Sequence, residues 1–439
     1  MFLTRRLYIA LTAVILCIVA GWWWMPLFHI GRLLLLLLLL AICADGVMLW
    51  LRKSIRAGRL CSNRFSNGDD NQVRLWVESD YPFNVALEII DEIPHVFQRR
   101  DICFLMALRP GEGRRELSYR LRPTRRGVYG FGRIRVFVAT RLGLLQRRYT
   151  CGEAQDVKVY PSYLMLHHYE FLAIHQNLKE TGIKRIRRVG HHTEFEQIKD
   201  YVQGDDYRTI NWRATARRHQ LMVNVYQDER SQHIYHLIDK GRVMQQAFNG
   251  MTLLDYAINA SLVLSHVAVK RGDQAGLITF ADHIDTMLPA SRHSGHMQRM
   301  LETLYAQQTD FGETDFSALC VHVNKHVLRT SLLIVYTNFI GMVALRRQLP
   351  FLQQLSRRHR VLVVFFEDVE LADYAATPAV NEEDECRHVM AEKFIYEKQL
   401  MVSTLRQCGI YALLTAPDNL SVNVVNRYIE MKSQGLLAS

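Results

Sequence analysis

The chain has 439 residues, is 49% hydrophobic and carries a formal net charge of +11 at neutral pH. That length is too great for one ordinary domain and suits two or three, with enough apolar content for cores that need no staples. Eight scattered cysteines, none in a Cys-x-x-Cys spacing, exclude a disulfide framework or a zinc cluster and fit a reducing compartment.

Leu7 to Met25 is an apolar run of nineteen residues, near the length that crosses a bilayer, and it ends in Trp22-Trp23-Trp24 as an interfacial aromatic belt would. A short link, Pro26 to His29, precedes a second run, Ile30 to Leu51, with eight consecutive leucines. No small-x-small cleavage site follows the first run, which argues against a signal peptide. The pattern predicts two transmembrane helices over residues 1–57, with spans at about 7–25 and 30–51. Arg5 and Arg6 lie before the first span, and Arg52, Lys53, Arg56, Arg59 and Arg64 lie after the second. The positive-inside rule then predicts a multi-pass membrane protein with both termini and the soluble bulk in the cytoplasm. Asp45 falls near the end of the second span, where snorkelling or pairing with Arg52 is expected.

Residues 60–165 read as β-rich. Val73, Leu75 and Val77 alternate with polar residues, as do Val85, Leu87 and Ile89. Pro110–Gly113 is a turn signal, and further strands are expected at Ile134–Val138 and Val157–Tyr160, so a small β-sandwich is predicted. Gly130-Phe131-Gly132 lacks the third glycine and the helix of a dinucleotide loop. Arg99 to Arg148 holds fourteen arginines, no lysine and three carboxylates, Asp101, Glu112 and Glu116. Such a face suits anionic lipid; without an aromatic RNA-binding signature, nucleic acid is not expected as a partner.

Residues 166–230 form a charged connector. His167, His168, Glu170 and His175 match no metal-ligand spacing and read as surface residues. Between Glu194 and Arg218, carboxylates and guanidinium groups alternate, with a turn signal at Gly204-Asp205-Asp206. Trp212 calls for a partly buried site with its N–H bonded. Three readings stay open here: a metal-dependent hydrolase at His191, His192 and Asp205, an arginine site for phosphate or an acidic peptide, and an ion-paired joint between domains. The run Glu194-Phe195, Tyr201, Gly204-Asp205-Asp206, Arg208, Ile210, Asn211-Trp212, Ala216-Arg217 resembles the signature of the bacterial domain-of-unknown-function 58 family. Two departures stand out: no arginine precedes Tyr201, and Asn211 replaces the usual acid. The resemblance implies a neighbouring MoxR-type AAA+ ATPase and a von Willebrand factor A-like domain.

Residues 231–439 alternate apolar strands with helical stretches, which predicts a mainly parallel, doubly wound α/β sheet with ligands at the carboxyl ends of its strands. In an A-like domain that edge would carry a metal-ion-dependent adhesion site. Here its first loop is Asp239-Lys240-Gly241-Arg242, lacking both serines; Thr314, before Asp315, fits the second loop, and Asn338 stands for the third loop's acid. Magnesium needs more hard oxygens than these provide, so no cofactor is assigned, and Lys240 or Arg242 is expected to fill the cation's place. The resulting reading is a non-enzymatic, membrane-anchored scaffold that binds a protein, with a MoxR-type ATPase as the partner the resemblance implies. A metal-dependent hydrolase and an envelope lipid-binding module are the alternatives.

Overall fold

The structure is a computed structural model that describes residues 1–50, 55–97, 99, 102–162, 194–202, 207–227, 231–309, 311–379 and 381–436. It divides into two compact units, Met1–Ser162 and Tyr163–Ser439.

The first unit opens with a short strand β1 (Phe2–Leu3) and two helices, α1 (Arg5–Ala20) and α2 (Met25–Trp50). The expectation of two spans is corrected here. At about 1.5 Å per residue, the 16-residue α1 is about 24 Å long, short of a hydrocarbon core of about 30 Å. Among the described residues only Met25–Trp50 is long and apolar enough to cross a membrane, with a mean hydropathy of 2.6. The boundary lies elsewhere because Pro26 sits in the first turn of α2, where its missing N–H costs no helical bond, so the turn falls on Gly21–Trp24 instead. The helices pack closely: a Cβ on Gly21 would lie 2.6 Å from the Phe28 backbone, and one on Gly31 would lie 2.7 Å from Ile18.

Ten strands follow: β2 (Ile55–Leu60), β3 (Arg64–Ser66), β4 (Asn71–Ser79), β5 (Val85–Asp91), β6 (Cys103–Leu108), β7 (Arg115–Leu121), β8 (Gly127–Phe131), β9 (Ile134–Ala139), β10 (Leu145–Cys151) and β11 (Gln155–Tyr160). They form a five-stranded sheet β1-β10-β9-β5-β6 and two three-stranded sheets, β2-β4-β7 and β3-β11-β8, rather than the expected two-sheet sandwich. The alternating positions do point inward: Val73, Leu75, Val77, Val85, Leu87 and Ile89 are buried in one core. Arg59 and Asp91 form a buried ion pair, and Arg59 also donates to the Gly132 carbonyl at 3.0 Å and stacks over Phe131.

Among the described residues the second unit begins with an antiparallel hairpin of β12 (Glu194–Asp200) and β13 (Met222–Gln227), with the short helix α3 (Trp212–Arg218) between them. Next come β14 (His233–Asp239), the two-residue strands β15 (Ala247–Phe248) and β16 (Met251–Thr252), and α4 (Leu253–Lys270). Then follow β17 (Gln274–Phe280), β18 (Ile284–Ser291), α5 (His296–Tyr305), α6 (Phe316–His326), β19 (Leu332–Tyr336) and α7 (Met342–Ser356). The chain ends with β20 (Arg360–Phe366), α8 (Val369–Ala376), α9 (Glu382–Gln407), β21 (Tyr411–Thr415) and α10 (Leu420–Ser433). The main sheet has six strands in the order β18-β17-β14-β19-β20-β21. It is mixed: β18 runs antiparallel to β17, while the other pairs are parallel. A turn as short as Ala281–His283 can only return the chain antiparallel, so the expected doubly wound, von Willebrand A-like domain gives way to a mixed α/β sheet with an edge hairpin. Alternate residues of β14 feed two cores: Ile234 and Ile238 pack with α4 and α10, Tyr235 and Leu237 with α6 and α7.

Candidate functional site: the carboxyl edge of the mixed sheet

β14 is buried through to Asp239, which is 0% exposed, and ends where the parallel strands open into loops. The Asp239 carboxylate meets donors only. Its Oδ1 accepts from the Gly241 N–H at 2.8 Å and the Thr314 hydroxyl at 2.7 Å, and its Oδ2 accepts from the Thr337 hydroxyl at 2.6 Å. Burial pushes its acidity toward the neutral form, and these three donors pull the other way. The donors come from three loops, so the carboxylate ties them together. Gly241 is required by that closeness: a Cβ there would lie 1.9 Å from the Thr314 hydroxyl.

The other expected edge residues are also engaged. Lys240 turns away from Asp239 and donates to Asp285 at 2.7 Å and Gln307 at 3.1 Å, which holds Asp285 below the usual carboxylate range. Arg242 is exposed, and its backbone N–H bonds to the Gly312 carbonyl at 2.9 Å. Asp315 caps α6, accepting from the Ser317 N–H at 2.7 Å and the Ala318 N–H at 3.2 Å. Asn338 Oδ1 accepts from Lys398 Nζ at 2.6 Å and the Phe339 N–H at 3.1 Å. The structure thus brings Asp239, Gly241 and Thr314 into one network and leaves Asp315 and Asn338 in others. Among the described residues, no group of three or more His, Cys, Asp or Glu is placed to hold a metal.

Beside this network lies a cleft of about 590 Å³, bounded by the ends of β20 and β21, by α8 and α9, and by Gln246–Phe248. Its apolar lining includes Phe248, Phe339, Phe366, Phe394 and Leu414, and its acidic lining is Glu367, Asp368 and Glu370. Ile340 at its mouth is 73% exposed and Phe394 is 43% exposed. Lys398 is the one cation among the lining residues. It donates to Asn338 Oδ1 and, at 2.7 Å, to the Phe339 carbonyl; burial lowers its pKa to about 8, against the opposing pull of Asp368. Sequence reasoning missed Lys398. The available signal was a lysine in the buried stripe of α9, seven residues after Ala391, three before Met401 and seven before Leu405.

The charged signature takes a different form from the one expected. Glu194 and Phe195 lie in β12, which bulges between Phe195 and Gln197. The Tyr201 N–H bonds to the Leu221 carbonyl at 2.8 Å, closing the hairpin. Arg208 lies in the Tyr207–Thr209 turn over the Tyr207 ring. Asn211 caps α3, accepting from the Ala214 N–H at 3.0 Å and donating to Asn224 Oδ1 at 2.8 Å; an aspartate could not make that second bond. Trp212 is 70% exposed, which corrects the expectation of burial: it starts a two-turn helix whose bonded side faces β13. Arg217 is exposed in the last turn of that helix. His191, His192, Gly204, Asp205 and Asp206 lie outside the described residues, as do His167, His168, Glu170 and His175.

Residues 197–385 match the family described as "Protein of unknown function DUF58". The chain carries a DUF58 domain. This domain takes in the last strand residues of the β12 hairpin, the Asp239 network and the acidic start of α9. The chain is 27% identical to the uncharacterized protein YeaD of Bacillus subtilis over 197 residues, which is 44% of this chain and 47% of YeaD. It thus spans about half the length of that relative. It is 22% identical to the uncharacterized protein Rv1480 of Mycobacterium tuberculosis over 253 residues, covering 54% of this chain and 79% of that protein. Proximal thread matrix protein 1 from the mussel byssus is 12% identical, covers 46% of this chain and 45% of its own, and has a TM-score of 0.27, too low to assign a fold.

Proposed function

We infer that the protein is a membrane-anchored adaptor whose DUF58 domain captures a segment of a partner protein at the carboxyl edge of its mixed sheet. The observation that carries this reading is the cleft beside Asp239. It has an apolar floor, an acidic rim of Glu367, Asp368 and Glu370, and exposed apolar side chains at its mouth. Both oxygens of the neighbouring acid accept from internal donors, which suits a structural role better than bond-breaking. An apolar segment with basic flanks complements such a cleft. The family resemblance supports a MoxR-type AAA+ ATPase as the partner, engaged in assembling or maturing another complex. Helix α2 would supply the anchor. Arg5 and Arg6, together with the basic residues that follow α2, favour a cytoplasmic location for the soluble units.

The test is capture of a MoxR-type ATPase by the detergent-solubilised full chain, with and without ATP and magnesium. Phe394→Asp, at an exposed position of the cleft, should cut capture at least about ten-fold, the effect of losing an apolar anchor worth roughly 1.4 kcal/mol or more. Equal capture by this variant and the parent chain would remove the cleft from the reading, and no capture by either would remove the ATPase.

A further inference from the structure

Asp45 is a carboxylate inside the most apolar helix among the described residues, yet it is 0% exposed and bonded within the protein. It accepts from the Leu144 N–H at 3.0 Å, the Leu145 N–H at 2.8 Å and the Thr140 hydroxyl. Its three donors come from the loop between β9 and β10 and from the first residue of β10, and Arg52, the partner expected from the sequence, lies outside the described residues. Leu49, one turn further on, is also fully buried. Through Asp45 and Leu49 the last turns of α2 are therefore seated against the β strands. The segment before them, Met25–Ala44, is 20 residues, or about 30 Å, which equals the thickness of a hydrocarbon core. From Leu33 to Ala44 its surface is apolar, with Leu33, Leu36 and Leu40 each at least 60% exposed, and the exposed His29 and Arg32 lie toward its other end, where a long basic side chain can snorkel to the far interface. If that segment fills the core, the loop around Asp45 is held at the membrane surface.

That level of the unit is rich in guanidinium groups. Thr4 Oγ1 donates to the Gly143 carbonyl at 2.6 Å, which brings the start of α1 to the same loop. Arg6 Nη1 lies 3.1 Å from where a Cβ of Gly143 would sit. Arg5, Arg6, Arg141 and Arg148 are exposed, Leu142 beside Arg141 is 51% exposed, and Trp50 is 66% exposed. Arg147 donates to the Leu49 carbonyl at 2.6 Å and stacks over Trp50. Arg147 and Arg148 follow Leu145 by two and three residues, within about 10 Å of the boundary along an extended strand. From Met1 to Trp50 and from Ala139 to Cys151 the chain contains one carboxylate, Asp45, and its oxygens are already occupied.

We propose that Arg5, Arg6, Arg141, Arg147 and Arg148 form a collar that binds the anionic phospholipid headgroups of the bilayer crossed by α2. The collar gathers anionic lipid around the anchor and holds the β-rich unit against the surface, with Leu142 and Trp50 reaching into the interface. This rests on the crossing of α2 in the reading above and not on the adaptor role.

The experiment reconstitutes the full chain in vesicles of phosphatidylcholine with a minority of phosphatidylglycerol, excises it with its surrounding lipid in polymer-bounded discs, and measures the ratio of the two lipids. The expected ratio is about five-fold above bulk, the effect of a single surface arginine, and it falls in high salt. Arg141→Glu with Arg148→Glu returns the ratio toward bulk, while the matching Lys pair keeps it, which guards against misfolding. A bulk ratio around the parent chain, or loss of enrichment in the Lys pair, overturns the collar. Release of the chain by an alkaline carbonate wash overturns the crossing itself and is read separately from lipid enrichment.

Discussion

Thr337→Val tests whether Asp239 is an internal tie. Valine keeps the shape of threonine and removes the hydroxyl that donates to Asp239 Oδ2 at 2.6 Å, at a buried site. A hydrogen bond to a charged group contributes about 1.5–3 kcal/mol, so a loss near 2 kcal/mol is expected, or roughly thirty-fold in an equilibrium constant. The sign follows from the titration. Burial raises the folded-state pKa of Asp239 above its unfolded value, so its contribution favours folding at low pH and is lost as pH rises through the folded pKa. The donors reduce that loss; the Thr337→Val deficit should therefore grow as pH rises through the same range and shrink below it. Amide hydrogen exchange of β14 in the detergent-solubilised chain reads this directly, with roughly thirty-fold faster exchange expected at neutral pH. In an Asp239→Asn background the same substitution breaks a bond to a neutral group and should cost only about 1 kcal/mol. Exchange unchanged within about two-fold, or an equal deficit in both backgrounds, would refute the reasoning. Magnesium that restored protection to Thr337→Val would likewise show a carboxylate open to ions.

Gly241→Ala drives a Cβ into the Thr314 hydroxyl and should lower stability by about 1–3 kcal/mol; adding Thr314→Ala should recover part of that in the same exchange measurement. His236 is fully buried, and burial lowers its pKa to about 3, so it stays neutral in the fold while the unfolded chain protonates near 6.5. Its contribution is present above pH 6.5 and declines toward pH 3, with about 2 kcal/mol lost by pH 5; His359, lowered to about 4, acts in the same direction. His236→Phe should flatten the acid limb of a thermal-stability profile, and an unchanged limb would assign it to other groups. Trp212→Ala should change stability by no more than about 0.5 kcal/mol, since the ring is 70% exposed; a larger loss would show it packed against residues outside those described.

Local periodicity carried much of the fold. The alternation at Val73, Leu75 and Val77 correctly marked a half-buried strand, and the apolar run Ile234–Ile238 marked a buried one ending at Asp239. The failures came from long-range determinants. Pro26 looked like a link because proline breaks helix interiors, but its place in a first turn depends on where the turn before it closes. Asp45 looked like a snorkelling acid because its partners lie 95 to 100 residues away, out of reach of any sequence window. Trp212 was assigned a buried place from its size alone, although its burial depends on what its helix packs against.

The Asp239 edge shows why a site is harder to read than a strand. An acid at the carboxyl end of a buried strand is visible in the chain, and ligands do gather at such ends. Whether the acid serves a ligand or the fold depends on what its lone pairs meet. A cation site needs several oxygens left without donors, converging on one point. Asp239 instead meets hydroxyl and amide protons from loops 75 and 98 residues away and from its own turn, and each donor lowers the cost of keeping the charge buried. The same loops hold Asn338 against Lys398, so the tie at Asp239 also positions one wall of the cleft. On the adaptor reading, recognition and stability are coupled at this edge. Substitutions at Asp239 or Thr337 should weaken partner capture in proportion to the protection they remove, whereas Phe394→Asp should weaken capture with protection intact.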